Sequence, residues 1–285
     1  MNTAQKSDGH RGFTLIEVMA AVAIFVIVCG AMFSLLNTSQ KRYQGESQVL
    51  NSFQDERLAL DQVVRDANDA GYPPSGNFSA LPGLCVLGAP CPSYVDSPIA
   101  WNPSYTTLAP CTIGGTCVTP TGFDVIFEEN PTAVAGNIEW IRYQLVGTTL
   151  WRGSIAKQNA DPLGIFAGLP VGAMVPYLTN VMNNASAAQI AKFQASYPSM
   201  FPGGNPQPVF QYYCSNPAAP PATILCQNAV GNVTLANGTA VPASSPINVV
   251  DVEITLIVQT TQLDPQTKAP LLVELNGFGH RVNPN

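Results

Sequence analysis

Between Phe13 and Leu36 the chain carries one charged residue, Glu17, in an otherwise uncharged and mostly apolar run. About 20 such residues suffice for a helix to cross a bilayer. A carboxylate inside that run is costly, so Glu17 needs a partner or a task. Beyond Leu36 the helical period continues. Val49, Phe53, Leu60, Val64 and Ala67 fall on one face, and Arg57, Asp61, Arg65 and Asp69 form a ladder of alternating charge on another. No proline occurs before Tyr72, and Gly71, Pro73 and Pro74 then supply a stop. These features predict one helix from about Phe13 to Ala70, on the order of 85 Å long. Its first half is apolar all round and its second half amphipathic.

From Pro73 to Gly122 the chain reads as loop. Strand signals then appear at Phe123–Phe127 and at Ile138–Leu145, which turns at Val146–Thr149 and returns through Leu150–Arg152. Residues 153–246 read as irregular, with a short helix at Ala185–Gln194. The clearest strand is Ile247–Gln259, with Val250, Val252, Ile254, Leu256 and Val258 on one face and Asp251, Glu253 and Thr255 on the other. Leu263–Gln266 then turns, and Leu271–Leu275 returns. The expected fold class is α+β: a long amino-terminal helix packed on an antiparallel β-sheet head with disulfide-pinned loops. The expected divisions are a short polar segment at 1–12, a transmembrane helix at 13–40, an amphipathic helix at 41–72, and a β-rich head at 73–285 with a loop-rich elaboration at 153–246.

Composition narrows the class. Only 11% of residues are charged and the net charge is −6. No basic patch or nucleic-acid module is apparent, so no nucleic-acid partner is expected. Of seven cysteines, Cys29 lies in the apolar run. The others fall as Cys85/Cys91, Cys111/Cys117 and Cys214/Cys226. Zinc sites use tighter Cys spacings or nearby histidines, and this chain has two histidines, His10 and His280. The cysteines therefore read as disulfides in an oxidising compartment. Six cysteines allow many connectivities; pairing of sequence neighbours is favoured because short loops are cheap to close.

Three kinds of membrane segment compete. A cleaved secretory signal needs a shorter apolar core and a small-x-small site. A lipoprotein site at Cys29 would want a small residue before it, where Val28 stands. A retained anchor fits better. Lys6 and Arg11 before the run balance Lys41 and Arg42 after it, so flanking charge leaves orientation open. The disulfides place the carboxy-terminal bulk outside the cytoplasm.

Gly12-Phe13-Thr14-Leu15-Ile16-Glu17 resembles the processing site of the type IV pilin family, the class III signal peptide. The resemblance spans Arg11 to about Leu36. It implies a prepilin leader peptide at 1–12, an assembly helix at 13–40, cleavage between Gly12 and Phe13 by a membrane-embedded prepilin peptidase, N-methylation of Phe13, and an assembly role for Glu17. Gln54 to Tyr72, closing on Ala-Gly-Tyr, is similar to the end of the long helix in PilW-type minor pilins. Tyr143, Leu145, Leu150 and Arg152 resemble the Y-x-L…L-x-R hairpin of pilin and pseudopilin heads. The ending Gly279–Asn283 is loosely similar to the last strand of PilW-type proteins.

Enzyme motifs are absent: no nucleophile elbow, phosphate-binding loop, HExxH or paired CxxC occurs. His280 reads as a surface residue. Adjacent Glu128 and Glu129 on a strand point to opposite faces and form no dyad. Asp66, Asp69 and Asp264 read as solvated carboxylates rather than calcium ligands. Asn77, Asn184, Asn232 and Asn237 sit in glycosylation sequons, a pattern common by chance. No cofactor or catalytic role is expected.

The resemblance implies a minor pilin that helps to initiate pilus assembly at the tip. Its partners would be other minor and major pilins and an inner-membrane assembly platform. The chain would begin in the inner membrane with its head in the periplasm and then join an extracellular filament. The alternatives are a J-type pseudopilin of type II secretion, for which a head of 73–285 is large, and a filament-tip adhesin or DNA-uptake subunit.

Overall fold

The computed structural model describes residues 13–71, 99–100, 121–130, 139–156, 174–216, 218–219, 221–234, 238, 240–264 and 268–281. One unbroken helix, α1 (Leu15–Asp69), leads into an antiparallel β head. The uninterrupted helical period explains its length. Ala70 leaves helical geometry, and Gly71 follows with φ 83°, a conformation favourable to glycine.

The head contains two main sheets. The first has five strands in chain order: β1 (Ile99–Ala100), β2 (Asp124–Glu129), β3 (Glu139–Val146), β4 (Thr149–Ala156) and β5 (Met174–Leu178). The second is built from β6 (Phe210–Ser215), β7 (Thr223–Leu225), β10 (Val249–Leu263) and β11 (Pro270–His280), ordered β11-β10-β6-β7. A short helix, α2 (Ala187–Gln194), lies between the sheets in sequence, and a small hairpin of β8 (Asn232–Thr234) and β9 (Ala240–Pro242) falls between β7 and β10. The β3–β4 hairpin turns at Gly147 (φ 59°) and Thr148, as its tight two-residue connection demands.

One core joins both sheets to the second half of α1. Leu60, Val63 and Ala67 meet Phe127, Ile141 and Tyr143 from the first sheet and Val252, Ile254 and Leu256 from the second. Alternation along β10 produces this inward face. A smaller cluster covers the opposite face near the β10–β11 turn, where Ile190, Phe193 and Phe201 pack on Ile257 and Leu272. The helix lies very close to β11. A Cβ on Gly279 would sit 2.4 Å from the Ala67 Cβ, and one on Gly277 would sit 2.8 Å from Val64 Cγ2.

Residues 153–246 differ from the irregular elaboration expected. They complete β4 and supply β5, β6 and α2, and β6 is an inner strand whose Phe210, Tyr212 and Cys214 are buried. The reason is compositional. Phe-Gln-Tyr-Tyr-Cys-Ser alternates by burial but mixes polar with aromatic residues, and β5 carries Pro176. Cys214 and Cys226 form a disulfide with an S–S distance of 2.03 Å, and Cys29 is free. Cys85, Cys91, Cys111 and Cys117 lie outside the described residues.

Candidate functional site

At its amino terminus α1 begins with a reciprocal cap. The Thr14 amide and hydroxyl both donate to Glu17 Oε2 at 2.9 Å, and the Glu17 amide donates to Thr14 Oγ1 at 3.4 Å. A threonine followed three residues later by glutamate is a capping box. The Thr-x-x-Glu spacing is readable in the sequence, where Glu17 stands out for its charge and for its place in the Gly12–Glu17 motif. Phe13 precedes the cap and is 88% exposed, so the aromatic residue and the carboxylate stand one turn apart at the helix tip. Gly12 lies outside the described residues.

From Leu15 to Leu50 the helix is long and apolar enough to cross a membrane, and none of its most apolar window is buried by the chain's own fold. Leu15, Ile24, Phe25, Phe33 and Leu35 all stand exposed. The head takes hold of the helix below this segment.

That hold is polar as well as apolar. Asp66 is buried on the sheet-facing side of α1. Its Oδ2 accepts from the Tyr143 hydroxyl at 2.6 Å and from Arg152 at 3.0 Å, and its Oδ1 accepts from the Gln62 amide at 2.6 Å. Arg152 Nε also donates to the Tyr143 hydroxyl at 2.8 Å, and the guanidinium lies 5.6 Å from that ring's centre. Burial, and after it the Asp66 charge, push the Tyr143 pKa up, which keeps its hydroxyl a donor. The solvated carboxylate expected at Asp66 is therefore corrected: Tyr143 and Arg152, paired across β3 and β4, clamp it. Near the helix end the Gly71 amide donates to the Glu128 carbonyl at 2.9 Å, and the His280 amide donates to Asn68 Oδ1 at 2.6 Å. Helix, first sheet and second sheet are thus tied together within two turns.

Glu128 and Glu129 are both buried on β2. Trp140 Nε1 donates to Glu128 Oε2 at 3.0 Å. Glu129 sits opposite Glu139 on β3, and burial together with Asp66, Asp69 and Glu139 raises its pKa from 4.5 to about 7, against the pull of Arg152. A raised carboxyl pKa means that the folded state holds the proton more tightly. The resulting penalty is absent below pH 4.5, grows as pH rises, and is complete above about 7. Glu129→Gln is therefore expected to raise the melting temperature of the full chain in detergent at pH 8 and to leave it unchanged near pH 4. An equal gain at both values would show that charge is not the cause.

Tyr143 and Arg152 are visible in the sequence as part of a hairpin pattern, but no local signal marks Asp66 as their partner, Asn68 as the cap of His280, or Glu129 as buried. Among the described residues, no cluster of His, Cys, Asp and Glu side chains is arranged to hold a metal ion. An open groove of about 660 Å³, lined by Arg42, Gly45, Glu46, Val49, Leu50, Asp264 and Leu271, lies between α1 and the β10–β11 hairpin.

No curated protein and no solved structure matches the chain. Residues 8–33 match the prokaryotic N-terminal methylation motif. That stretch includes Gly12, Phe13 and Glu17 and ends inside the exposed apolar half of α1. The match supports a type IV pilin-like class III signal segment, and with it a pilin-like subunit of a pilus or pseudopilus.

Proposed function

We propose that this chain is a minor pilin of a type IV pilus, most like the PilW type, that takes part in initiating pilus assembly. One observation carries the reading: the methylation motif runs without a break into a helix whose first half is apolar and exposed while its second half is built into a β head. Prepilin peptidase would cut between Gly12 and Phe13, and Phe13 would be methylated. The helix from Phe13 to about residue 40 would anchor the chain in the inner membrane, with the head in the periplasm. On assembly it would pack beside the helices of other minor and major pilins on the inner-membrane platform. The role is structural, and the clamp at Asp66 fixes the head rigidly to the helix that carries it.

Intact-mass analysis tests the first step. Protein made alongside its peptidase is expected to lack residues 1–12 and to carry one added methyl group on Phe13. A full-length mass in such cells would remove the pilin reading.

A further inference from the structure

The second sheet ends in a long open edge. Among the described residues β11 is its outermost strand and pairs with β10 alone. The Arg281 amide donates to the Val250 carbonyl at 2.8 Å, and the register continues from that pair through Val252–Gly279 to Val258–Val273. Antiparallel geometry then turns the amides of Val273, Leu275, Gly277 and Gly279 toward β10. Those of Leu272, Glu274, Asn276, Phe278 and His280 turn outward. The two end amides of the outward set are capped within the molecule: Leu272 by the Tyr197 hydroxyl at 3.4 Å and His280 by Asn68 Oδ1 at 2.6 Å. The three between them, at Glu274, Asn276 and Phe278, belong to exposed residues, and Phe278 is 60% exposed.

Among the described residues, the other edge strands of the two main sheets are short. β7 has three residues, β1 has two, and β5 has five with Pro176 among them. β11 has eleven, with its one proline in first place.

We propose that the open edge of β11 accepts an extended strand from the head of a neighbouring pilin-like subunit, joining the two heads by main-chain hydrogen bonds. The proposal rests on the pilin reading, which requires neighbours along α1. Position supports it: Gly277 and Gly279 lie against Leu60, Val64 and Ala67, and Asn68 caps the strand end, so the edge runs along the flank of the assembly helix. Charge defines the occupant. Asp251, with the His280 imidazole 2.5 Å away, Glu253, which accepts from the Tyr213 hydroxyl, and Glu274 lie on the outward sheet face beside Phe278. The incoming strand must therefore bring neutral or basic side chains to that face, with an apolar one over Phe278.

The test separates backbone from side chain. Asn276→Pro deletes one outward N–H and no β10 pairing, and proline is tolerated on an edge in that orientation. Asn276→Ala keeps the N–H. Each full-length variant is expressed in the producing cells, and its recovery in sheared filaments and crosslinked envelope complexes is compared with wild type. The proline variant is expected to fall about tenfold while the alanine variant holds. Hydrogen exchange supplies a second readout that needs no substitution: the amides of Glu274, Asn276 and Phe278 slow when wild-type chains are assembled. Equal recovery of the proline variant, equal loss of both variants, or unchanged exchange on assembly overturns strand addition. Leader retention by wild type overturns the pilin reading itself, and the proposal falls with it.

Discussion

Replacing Glu17 with alanine is expected to abolish incorporation into filaments or priming complexes while leader cleavage, membrane insertion and head folding continue. Removal of residues 1–12 would give Phe13 a new α-amino group, whose pKa is about 8 before methylation. In the proposed filament, a carboxylate one turn from that amine, in an otherwise uncharged run, would meet a positive charge on a neighbouring chain as helices pack side by side. Within a single chain the same carboxylate accepts from the Thr14 amide and hydroxyl. The two roles are separable. Glutamine also completes a capping box, so Glu17→Gln preserves the cap and removes the charge. Failure of both variants to co-purify with partner pilins assigns the role to charge. If glutamine restores incorporation, the cap is what assembly needs.

The second large effect concerns stability. Asp66→Ala is expected to cost the head about 3 kcal/mol, the lower end for removing one partner of a buried ion pair, because Arg152 keeps 26% of its side-chain surface in solvent. The buried Tyr143 hydroxyl loses its acceptor, and Gln62 loses its own. In a domain of this size such a loss lowers the melting temperature by roughly 10 °C. It should also depend on pH. Above about 7 Glu129 is ionised and repelled by Asp66, so removing Asp66 relieves part of its own cost there. Thermal melting at pH 5 and pH 8 is therefore expected to show the larger drop at pH 5. A drop of under one degree at both would mean that apolar packing alone holds helix to sheet.

The long helix was legible almost to the residue, because its period is unbroken and Gly71 with the following prolines ends it: about Phe13–Ala70 was expected and Leu15–Asp69 is observed. β10 was legible through its alternation, although it runs on to Leu263. The β3–β4 hairpin was legible through its turn and flanking residues. β6 was not, because Tyr212 and Cys214 are buried beside Gln211 and Tyr213 and hydropathy does not separate them. The clamp was hidden for a different reason. Asp66 meets Tyr143 and Arg152 across 77 and 86 residues, and local charge patterning made it look like its exposed neighbours Arg65 and Asp69. Glu129 reads as an ordinary strand carboxylate until the helix end is placed beside it. The amino-terminal motif was the easiest part because all of it is local.

The contact of Asn68 with His280 spans 212 residues. The first element of the chain to emerge thus rests on one of the last. While the chain is being made and exported, Leu60, Val64 and Ala67 lack the two close glycines of β11 that lie against them in the finished fold. Joining ends so far apart is slow even where its entropic cost is modest. During that interval the helix flank is a sticky surface open to other chains. A chain halted between Leu178 and Gly277 would keep its apolar amino-terminal helix and its first sheet, yet leave the Leu60–Val64 flank without β11, so such incomplete copies are expected to aggregate at the membrane rather than compete for places in a filament.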